Sequence, residues 1–296
     1  MHSGEIICSK DDVRVIDCTV CGYRHLLPVP DKEFIASFYK KQYFVTTQDD
    51  YYEKQLADND YLNFCFSEYL AEIGRHVGSG ARSLLDIGCG SGLFLKYCHD
   101  AGWEVTGVEP SLSGISDFAR QHGITIHEQE FDHRLFAGKR FSVVTLNNVL
   151  EHVIEPQSVC REIYDHLLEE GGILQVKVPN DFSPLQTMLQ ESRNFRPYWI
   201  SHPDHINYFD RESLLRLVGK AGFTFIGGTV TFPLEMYLMM GLNYVEEPAV
   251  GKSIHSQRVN FEYVFRDAEK LDLKRDLYAR FFELGIGREL IAYFKK

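Results

Sequence analysis

At residues 84–92 the chain reads Leu84-Leu85-Asp86-Ile87-Gly88-Cys89-Gly90-Ser91-Gly92, an apolar run followed by three glycines at alternate positions. The apolar run predicts a buried strand, and a helical pattern follows the last glycine. Glycine lets the backbone approach a ligand closely, and the first N–H groups of a helix point at such a ligand. The stretch therefore predicts a ligand-binding edge in a parallel sheet.

The same alternation of short apolar runs and helical stretches continues along the chain. Strands are predicted at 83–87, 103–108, 124–127, 141–147, 172–178, 223–232 and 289–294. Helices are predicted at 50–77, 92–101, 112–122, 156–169 (ended by Gly171 and Gly172) and 211–221 (capped by Asp210). This pattern is typical of an α/β fold with a doubly wound, seven-stranded, mostly parallel Rossmann-like sheet.

Four segments are expected from this pattern. Residues 1–48 form an N-terminal cysteine-containing cap with an aromatic run at Phe38, Tyr39, Tyr43 and Phe44. The ligand-binding core covers 49–232, a helical insertion or lid covers 233–286, and 287–296 hold the last core strand.

Composition excludes several classes of protein. The chain has 296 residues, of which 44% are hydrophobic, so it can bury a core. A formal charge of −11 disfavours nucleic acid as a partner. The sequence has no apolar run long enough for a membrane span, and its N-terminus is short and polar for a signal peptide. A cytoplasmic protein with no membrane partner is expected, and the oligomeric state is left open.

The seven cysteines are too sparse for a disulfide framework, so free thiols are expected. Cys18 and Cys21 form a C-x2-C pair, with Cys8 before it and His25 after it. Such a pair is half of a tetrahedral zinc site, and a strong zinc signal needs a second pair. The sequence therefore favours a metal-free turn, with zinc at Cys18 and Cys21 as the alternative.

Two acidic residues flank the predicted crevice. Asp86 precedes the glycines, and Glu109 ends the second core strand, where a carboxylate can accept hydrogen bonds from both ribose hydroxyls. A dinucleotide fingerprint requires a third glycine where this chain has Leu93. The predicted ligand is a nucleoside that has a positively charged arm and no pyrophosphate. Asp86 could pair with the charged arm.

These residues resemble the class I S-adenosylmethionine-dependent methyltransferases, whose first motif reads as residues 84–92 do. The resemblance implies S-adenosyl-L-methionine as cofactor and S-adenosyl-L-homocysteine as product. It also places Glu130 and Phe131 beside the adenine and Asn147 beside the methionine moiety. The full set expected to bind the cofactor is Asp86, Gly88, Cys89, Gly90, Gly92, Phe94, Glu109, Pro110, Glu130, Phe131 and Asn147. The cap resembles that of some bacterial small-molecule and sugar-modifying members.

Methyl transfer to a hydroxyl needs alignment and a base, and histidine is a usable base near neutral pH. The candidate bases are His205 and His152. Some ubiquinone-pathway O-methyltransferases bind a divalent metal through Glu-x-x-Glu-His, but Asn148 replaces the first acid here, so no catalytic metal is expected. The candidate acceptor-binding residues are Tyr198, Trp199, His202 and Tyr208, whose aromatic members could equally be core.

The sequence thus predicts a methyltransferase that acts on a small metabolite, with an oxygen of a sugar, sugar nucleotide or natural product as acceptor. A dehydrogenase that uses NAD or NADP and a non-catalytic protein that binds S-adenosylmethionine for assembly are the alternatives. An intact cofactor motif does not by itself establish turnover.

Overall fold

The computed structural model describes residues 2–10, 13–31, 33–35, 55–78, 80, 82–110 and 115–296. The predicted aromatic run at 38–44 and the expected boundary between residues 48 and 49 lie outside these ranges. So do the first residues of the helices predicted at 50–77 and 112–122.

The strands form two sheets. The first has four strands in the order β1-β2-β3-β9, which are β1 (Gly4–Lys10), β2 (Val13–Cys18), β3 (Arg24–Leu27) and β9 (Asn207–Tyr208). The second has seven, β4 (Ser83–Ile87), β5 (Glu104–Val108), β6 (Thr125–His127), β7 (Phe141–Asn147), β8 (Leu168–Pro179), β10 (Thr224–Val230) and β11 (Glu289–Lys295). Its order is β10-β11-β8-β7-β4-β5-β6. The predicted fold class is confirmed.

The described helices connect these strands. They are α1 (Asn59–His76), α2 (Leu93–Asp100), α3 (Ile115–His122), α4 (Pro156–Glu162), α5 (Pro184–Arg193), α6 (Arg211–Lys220), α7 (Glu235–Met239), α8 (Pro248–Asp267) and α9 (Leu271–Glu283). The last three fill the segment between β10 and β11. No helix in the described part of the chain combines the length and the apolar character that a membrane crossing requires.

The chain divides into two compact units. The small-sheet unit comprises Met1–Pro28, Lys177–Leu217 and Gly227–Ala292. The glycine-loop unit comprises Val29–Val176, Val218–Ile226 and Tyr293–Lys296.

The glycine-loop unit is built on the parallel strands β4, β5 and β7. β4 pairs in parallel with β5 on one side and β7 on the other, and all five of its residues are buried. Parallel strands are covered on both faces, which explains the unbroken apolar character of Leu84 and Leu85. In this arrangement β4, β5 and β7 end at the same edge of the sheet.

The glycine loop, residues 88–92, leaves that edge in a conformation that favours glycine. Gly88, Gly90 and Gly92 have φ angles of 71°, 53° and 75°, in the left-handed region. A Cβ atom on Gly88 would lie 2.7 Å from Cγ2 of Val149. A side chain is therefore excluded at Gly88 by both strain and contact.

The helix predicted at 156–169 ends earlier than expected. After α4 the chain makes one π-helical turn, Ile163–Leu167, and β8 begins at Leu168. Gly171 and Gly172 therefore lie inside the strand, and the prediction that they end the helix is wrong. A Cβ on Gly172 would lie 2.9 Å from the Glu169 carbonyl oxygen, so glycine is needed there for a close backbone approach.

The small-sheet unit has its own core beneath β1–β3. Val13, Val15 and Leu26 of the sheet pack with further buried residues, namely Trp199, Ile200 and Tyr208. Arg24 Nη1 also donates a hydrogen bond to Asp210 Oδ2 over 2.6 Å. Asp210 caps α6 as predicted, because its Oδ1 accepts from the Ser213 N–H at 2.8 Å. The N-terminal sheet thus supports the segment around residues 197–210.

A substitution at Gly107 of β5 would show how tightly the glycine loop packs against this strand. A Cβ at Gly107 would lie 2.5 Å from Leu95 Cδ1 and 2.8 Å from Cys89 Sγ. We expect Gly107→Ala to lower the free energy of unfolding by about 1–3 kcal/mol, because the added methyl group would be too close to Leu95 and Cys89. The matched control is Gly74→Ala in α1, where a Cβ meets no described atom within 4 Å. It should raise stability by up to about 1 kcal/mol. Urea unfolding measures both, and a Gly107→Ala protein as stable as the wild type would contradict the packing.

Candidate active site

A chain of side-chain hydrogen bonds lies under the glycine loop. Asp86 is 2% exposed, and its Oδ1 accepts from Thr145 Oγ1 at 2.6 Å and from Asn147 Nδ2 at 3.2 Å. Asn147 Oδ1 in turn accepts from Gln175 Nε2 at 2.9 Å. We call Asp86, Thr145, Asn147 and Gln175 the polar ladder, because they join β4, β7 and β8 across the sheet.

The ladder holds a carboxyl group whose charge is easily changed. Burial raises the pKa of Asp86 to about 7, although the hydrogen bonds from Thr145 and Asn147 act in the opposite direction. The charge of Glu109 adds to the increase. Near neutral pH, a cationic group that reached Asp86 would therefore favour its ionised form.

The ladder also contains an acceptor without a donor. Gln175 Oε1 is buried and has no hydrogen-bond partner among the described residues. A buried carbonyl oxygen that lacks a donor is costly, so a ligand that donates a hydrogen bond there would be stabilised.

Glu109 fixes the glycine loop to the end of β5. Its Oε2 accepts a hydrogen bond from the Gly90 N–H at 3.0 Å, and the side chain is buried. The N–H groups of Gly88 and Cys89 both donate to the Val108 carbonyl oxygen, at 2.8 and 3.1 Å. The structure thus brings Asp86 and Glu109 to the same loop, as the sequence predicts for a crevice with two acids.

The remaining predicted cofactor residues surround this loop or follow neighbouring strands. Phe94 is buried in the first turn of α2, where its ring lies 5.2 Å from that of Phe66. Pro110 is exposed after β5. Glu130 is exposed and Phe131 half-buried after β6. Cys89 carries a buried thiol whose pKa burial raises well above its usual range, so the thiol is neutral.

Sequence reasoning missed Thr145 and Gln175. Each is a polar residue inside a run of buried apolar residues, 143–146 in β7 and 173–176 in β8, and this is the signal that could have identified them. It also missed Ser91, whose Oγ donates a hydrogen bond to Gln55 Oε1.

The candidate base His152 lies in the glycine-loop unit, shortly after β7. Its Nε2 lies 3.7 Å from Oε1 of Glu151, a carboxylate that is almost fully buried. A neighbouring carboxylate stabilises a protonated imidazole, so this pair can hold a proton.

The candidate base His205 lies in the small-sheet unit just before β9. Its Nε2 is 3.6 Å from Asp204 Oδ2. Two backbone hydrogen bonds fix its position, since its N–H donates to Ser201 O at 2.7 Å and its carbonyl accepts from Tyr208 Oη at 3.1 Å. His205 is thus held by its own loop beside a carboxylate.

The predicted acceptor-binding residues separate into two groups. Trp199 and Tyr208 are buried in the core of the small-sheet unit, which gives them a packing role. Tyr198 is half-buried and donates to Glu235 Oε1 at 3.1 Å, and His202 is exposed. The buried carboxylate of Glu235, which also accepts from Gln186 at 3.2 Å, was not predicted because its partners are distant in sequence.

Comparison with known proteins now identifies the family. A family model described as a methyltransferase domain matches residues 51–226, more than half of the chain. The chain belongs to this family. The prediction of a class I S-adenosylmethionine-dependent methyltransferase, and of the cofactor that defines this class, is confirmed.

Curated relatives match parts of the chain. The ubiquinone biosynthesis O-methyltransferase of Haemophilus ducreyi is 32% identical over 114 residues, which cover 35% of this chain and 48% of that protein. The protein of the same name from Cereibacter sphaeroides is 30% identical over 176 residues, 54% of this chain and 69% of that one. This chain spans about half the length of the first curated relatives it matches.

Among solved structures, a SAM dependent methyltransferase from Archaeoglobus fulgidus superposes with a TM-score of 0.52. It is 18% identical and covers 84% of this chain and 100% of its own. At this identity the likeness concerns the fold alone.

The raised pKa of Asp86 gives a stability prediction with a defined sign. An unfolded aspartate has a pKa near about 3.9, so between roughly pH 4 and 7 the folded protein binds more protons and loses stability as the pH rises. Asp86→Asn removes this cost. We expect the variant to gain thermal stability relative to the wild type at pH 8, and to gain less at pH 5. Asp100→Asn, at an exposed carboxylate paired with Lys96 at 2.5 Å, is the matched control for the loss of a carboxylate. An equal difference at both pH values would contradict a buried, titrating Asp86.

Proposed function

We propose that this protein transfers a methyl group from S-adenosylmethionine to an oxygen atom of a small molecule. The observation that carries the proposal is the polar ladder with its buried carboxyl group, set beside Glu109 at a left-handed glycine loop. Ligands bind at the carboxyl ends of the strands in sheets of this type, where these groups lie.

The residues fit this cofactor in three respects. Asp86 and the unpaired Gln175 oxygen suit the ammonium group of the methionine moiety, which offers both a positive charge and N–H donors. Glu109 suits the ribose hydroxyls. The glycine loop carries no side chain at residues 88 and 90, and Leu93 occupies the position where a pyrophosphate-binding loop needs glycine. These features argue against the dehydrogenase alternative.

When bound, S-adenosylmethionine supplies a methyl group on a positively charged sulfur. The protein's own part is to orient the acceptor and to take its proton. We assign proton removal to the imidazole of His205, because Asp204 Oδ2 lies 3.6 Å from its Nε2 and would stabilise the imidazolium that forms. His152 beside Glu151 is the second candidate base.

An oxygen acceptor is supported by the relatives, which are named as O-methyltransferases. The finer assignment to a sugar, a sugar nucleotide or a natural product follows from the resemblance of the cap, and it is part of the proposal. A charge of −11 favours a small molecule over nucleic acid.

An acceptor screen tests the proposal. The full chain is incubated with S-adenosylmethionine labelled at the methyl group and with sugar nucleotides, free sugars or phenolic hydroxyl compounds. Labelled product together with S-adenosylhomocysteine is the expected result for at least one class. Cofactor binding without transfer to any of these acceptors would contradict the proposed activity and favour the non-catalytic alternative.

Glu109→Ala should weaken S-adenosylmethionine binding by about 1.5–3 kcal/mol, because hydrogen bonds to a charged group are lost. Calorimetric titration measures the change. Glu104→Ala removes an exposed carboxylate at the other end of β5, where it pairs with Lys139 at 2.7 Å, and should leave the affinity unchanged. Glu109→Gln keeps an acceptor for the Gly90 N–H, so it separates loss of the loop from loss of the charge. Unchanged affinity in Glu109→Ala would reject the ribose assignment.

His205→Ala should spare cofactor affinity and reduce turnover by about 10²–10⁴-fold, the usual contribution of a general base. Single-turnover rates with the acceptor found in the screen give the readout. His99→Ala, at an exposed histidine in the last turn of α2, is the control for the loss of an imidazole. Normal turnover in His205→Ala together with a large loss in His152→Ala would assign the base to His152 instead.

A further inference from the structure

Four potential metal ligands meet at one end of the N-terminal sheet. One ligand atom from each of His2, Cys18, Cys21 and His25 lies within 4.8 Å of the others. His2 Nδ1 is 3.3 Å from Cys21 Sγ and 3.8 Å from Cys18 Sγ. Sequence reasoning noted His25 after the cysteine pair but not His2, which the structure brings to the same place.

Backbone pairing brings these residues together. β1 and β2 pair so that Gly4 is opposite Cys18, which puts His2 next to the cysteine turn. A Cβ on Gly4 would lie 1.9 Å from the Asp17 carbonyl oxygen, so only glycine allows this approach. Gly22, with a φ of 80°, closes the turn through a hydrogen bond from its N–H to Cys18 O at 2.8 Å.

His25 presents a buried ring nitrogen, Nε2, to the two cysteines and His2. Its Nδ1 lies 2.8 Å from the Leu26 carbonyl oxygen, so Nδ1 carries the proton and donates it. Nε2 therefore carries a lone pair, and it is buried without a hydrogen-bond partner among the described residues. Metal-binding histidines commonly donate the other ring N–H to a backbone carbonyl in this way, which fixes both the tautomer and the ring orientation.

We propose that His2, Cys18, Cys21 and His25 bind one Zn²⁺ in a closed tetrahedral site. Zinc bonds of about 2.0–2.3 Å place neighbouring ligand atoms roughly 3.3–3.8 Å apart. The two distances from His2 Nδ1 fall in this range, and the rest of the cluster needs only a small contraction. Two thiolates with two imidazoles are a ligand set that suits zinc. With four protein ligands no position is open for a substrate, so the site is structural.

The site would stabilise the part of the small-sheet unit that carries His205. His25 belongs to β3 and pairs with Asn207 of β9, two residues beyond His205. Leu26, the next residue, packs in one core with Trp199 and Tyr208. Zinc at His25 thus ties the cysteine turn to the strand pair that anchors the loop at 197–209. The metal assignment itself does not depend on the proposed methyl transfer.

The test measures metal in the untagged full chain, purified under reducing conditions in medium supplied with zinc. Elemental analysis should find about one zinc ion per chain. His2→Ala is the most informative variant because His2 is exposed and its loss leaves the core intact. It should lower zinc affinity at least about tenfold, since even the loss of an outer-sphere partner costs this much. Cys21→Ser should act likewise.

Cys8→Ser is the matched control, because Cys8 lies on the same sheet and packs against its core outside the cluster. It should keep the metal. Cobalt(II) replacement in the wild type should give the thiolate charge-transfer and strong visible bands of a tetrahedral ion. Each variant is also titrated with S-adenosylmethionine, so that a failure of the cofactor assignment is distinguishable from a failure of the metal site.

Three results would overturn the proposal. They are a wild-type protein free of zinc and of bound cobalt, equal metal loss in Cys8→Ser and Cys21→Ser, and a Cys18–Cys21 disulfide in the wild type in place of metal.

Discussion

The buried carboxyl group of Asp86 is the constraint on which the glycine-loop unit depends. A charge at the centre of a parallel sheet is costly unless hydrogen bonds compensate it. Thr145 and Asn147 supply these bonds from β7, and Gln175 extends them to β8. Burial still raises the pKa of Asp86 to about 7, so the folded protein keeps beside the glycine loop a carboxyl group whose ionised form a cation would stabilise.

The glycine loop and Glu109 complete this arrangement. Gly88, Gly90 and Gly92 have a left-handed backbone and place no side chain at the strand ends, and Glu109 holds the loop through the Gly90 N–H. Groups that are already held in position need little reorganisation when a ligand binds, so less binding free energy is lost. In the small-sheet unit, other contacts hold a loop in position. There, backbone pairing of β3 with β9 and a shared apolar core position the loop that carries His205.

The sequence predicted the sheet well because its signals are local. Runs of buried residues and the glycines at 88–92 mark strands and turns within a few positions of one another. The predictions that failed, and the residues that were missed, depend on contacts between residues distant in sequence or on signals that fit two structures. Gly171 and Gly172 are typical of a helix end, but the helical turns end at Leu167 and both glycines lie inside β8. Gln175 and Thr145 can be recognised as part of the polar ladder only once β8, β7 and β4 are known to be adjacent. His2 becomes a candidate ligand only through the register of β1 with β2.

Calorimetric titration of the wild-type chain tests the central claim most directly. The ligands are S-adenosylmethionine, S-adenosylhomocysteine and NAD under the same conditions. The account predicts that the first two bind, since both carry the ribose and the ammonium group assigned to Glu109 and Asp86, and that NAD does not. Binding of NAD alone, or of none of the three, would contradict it.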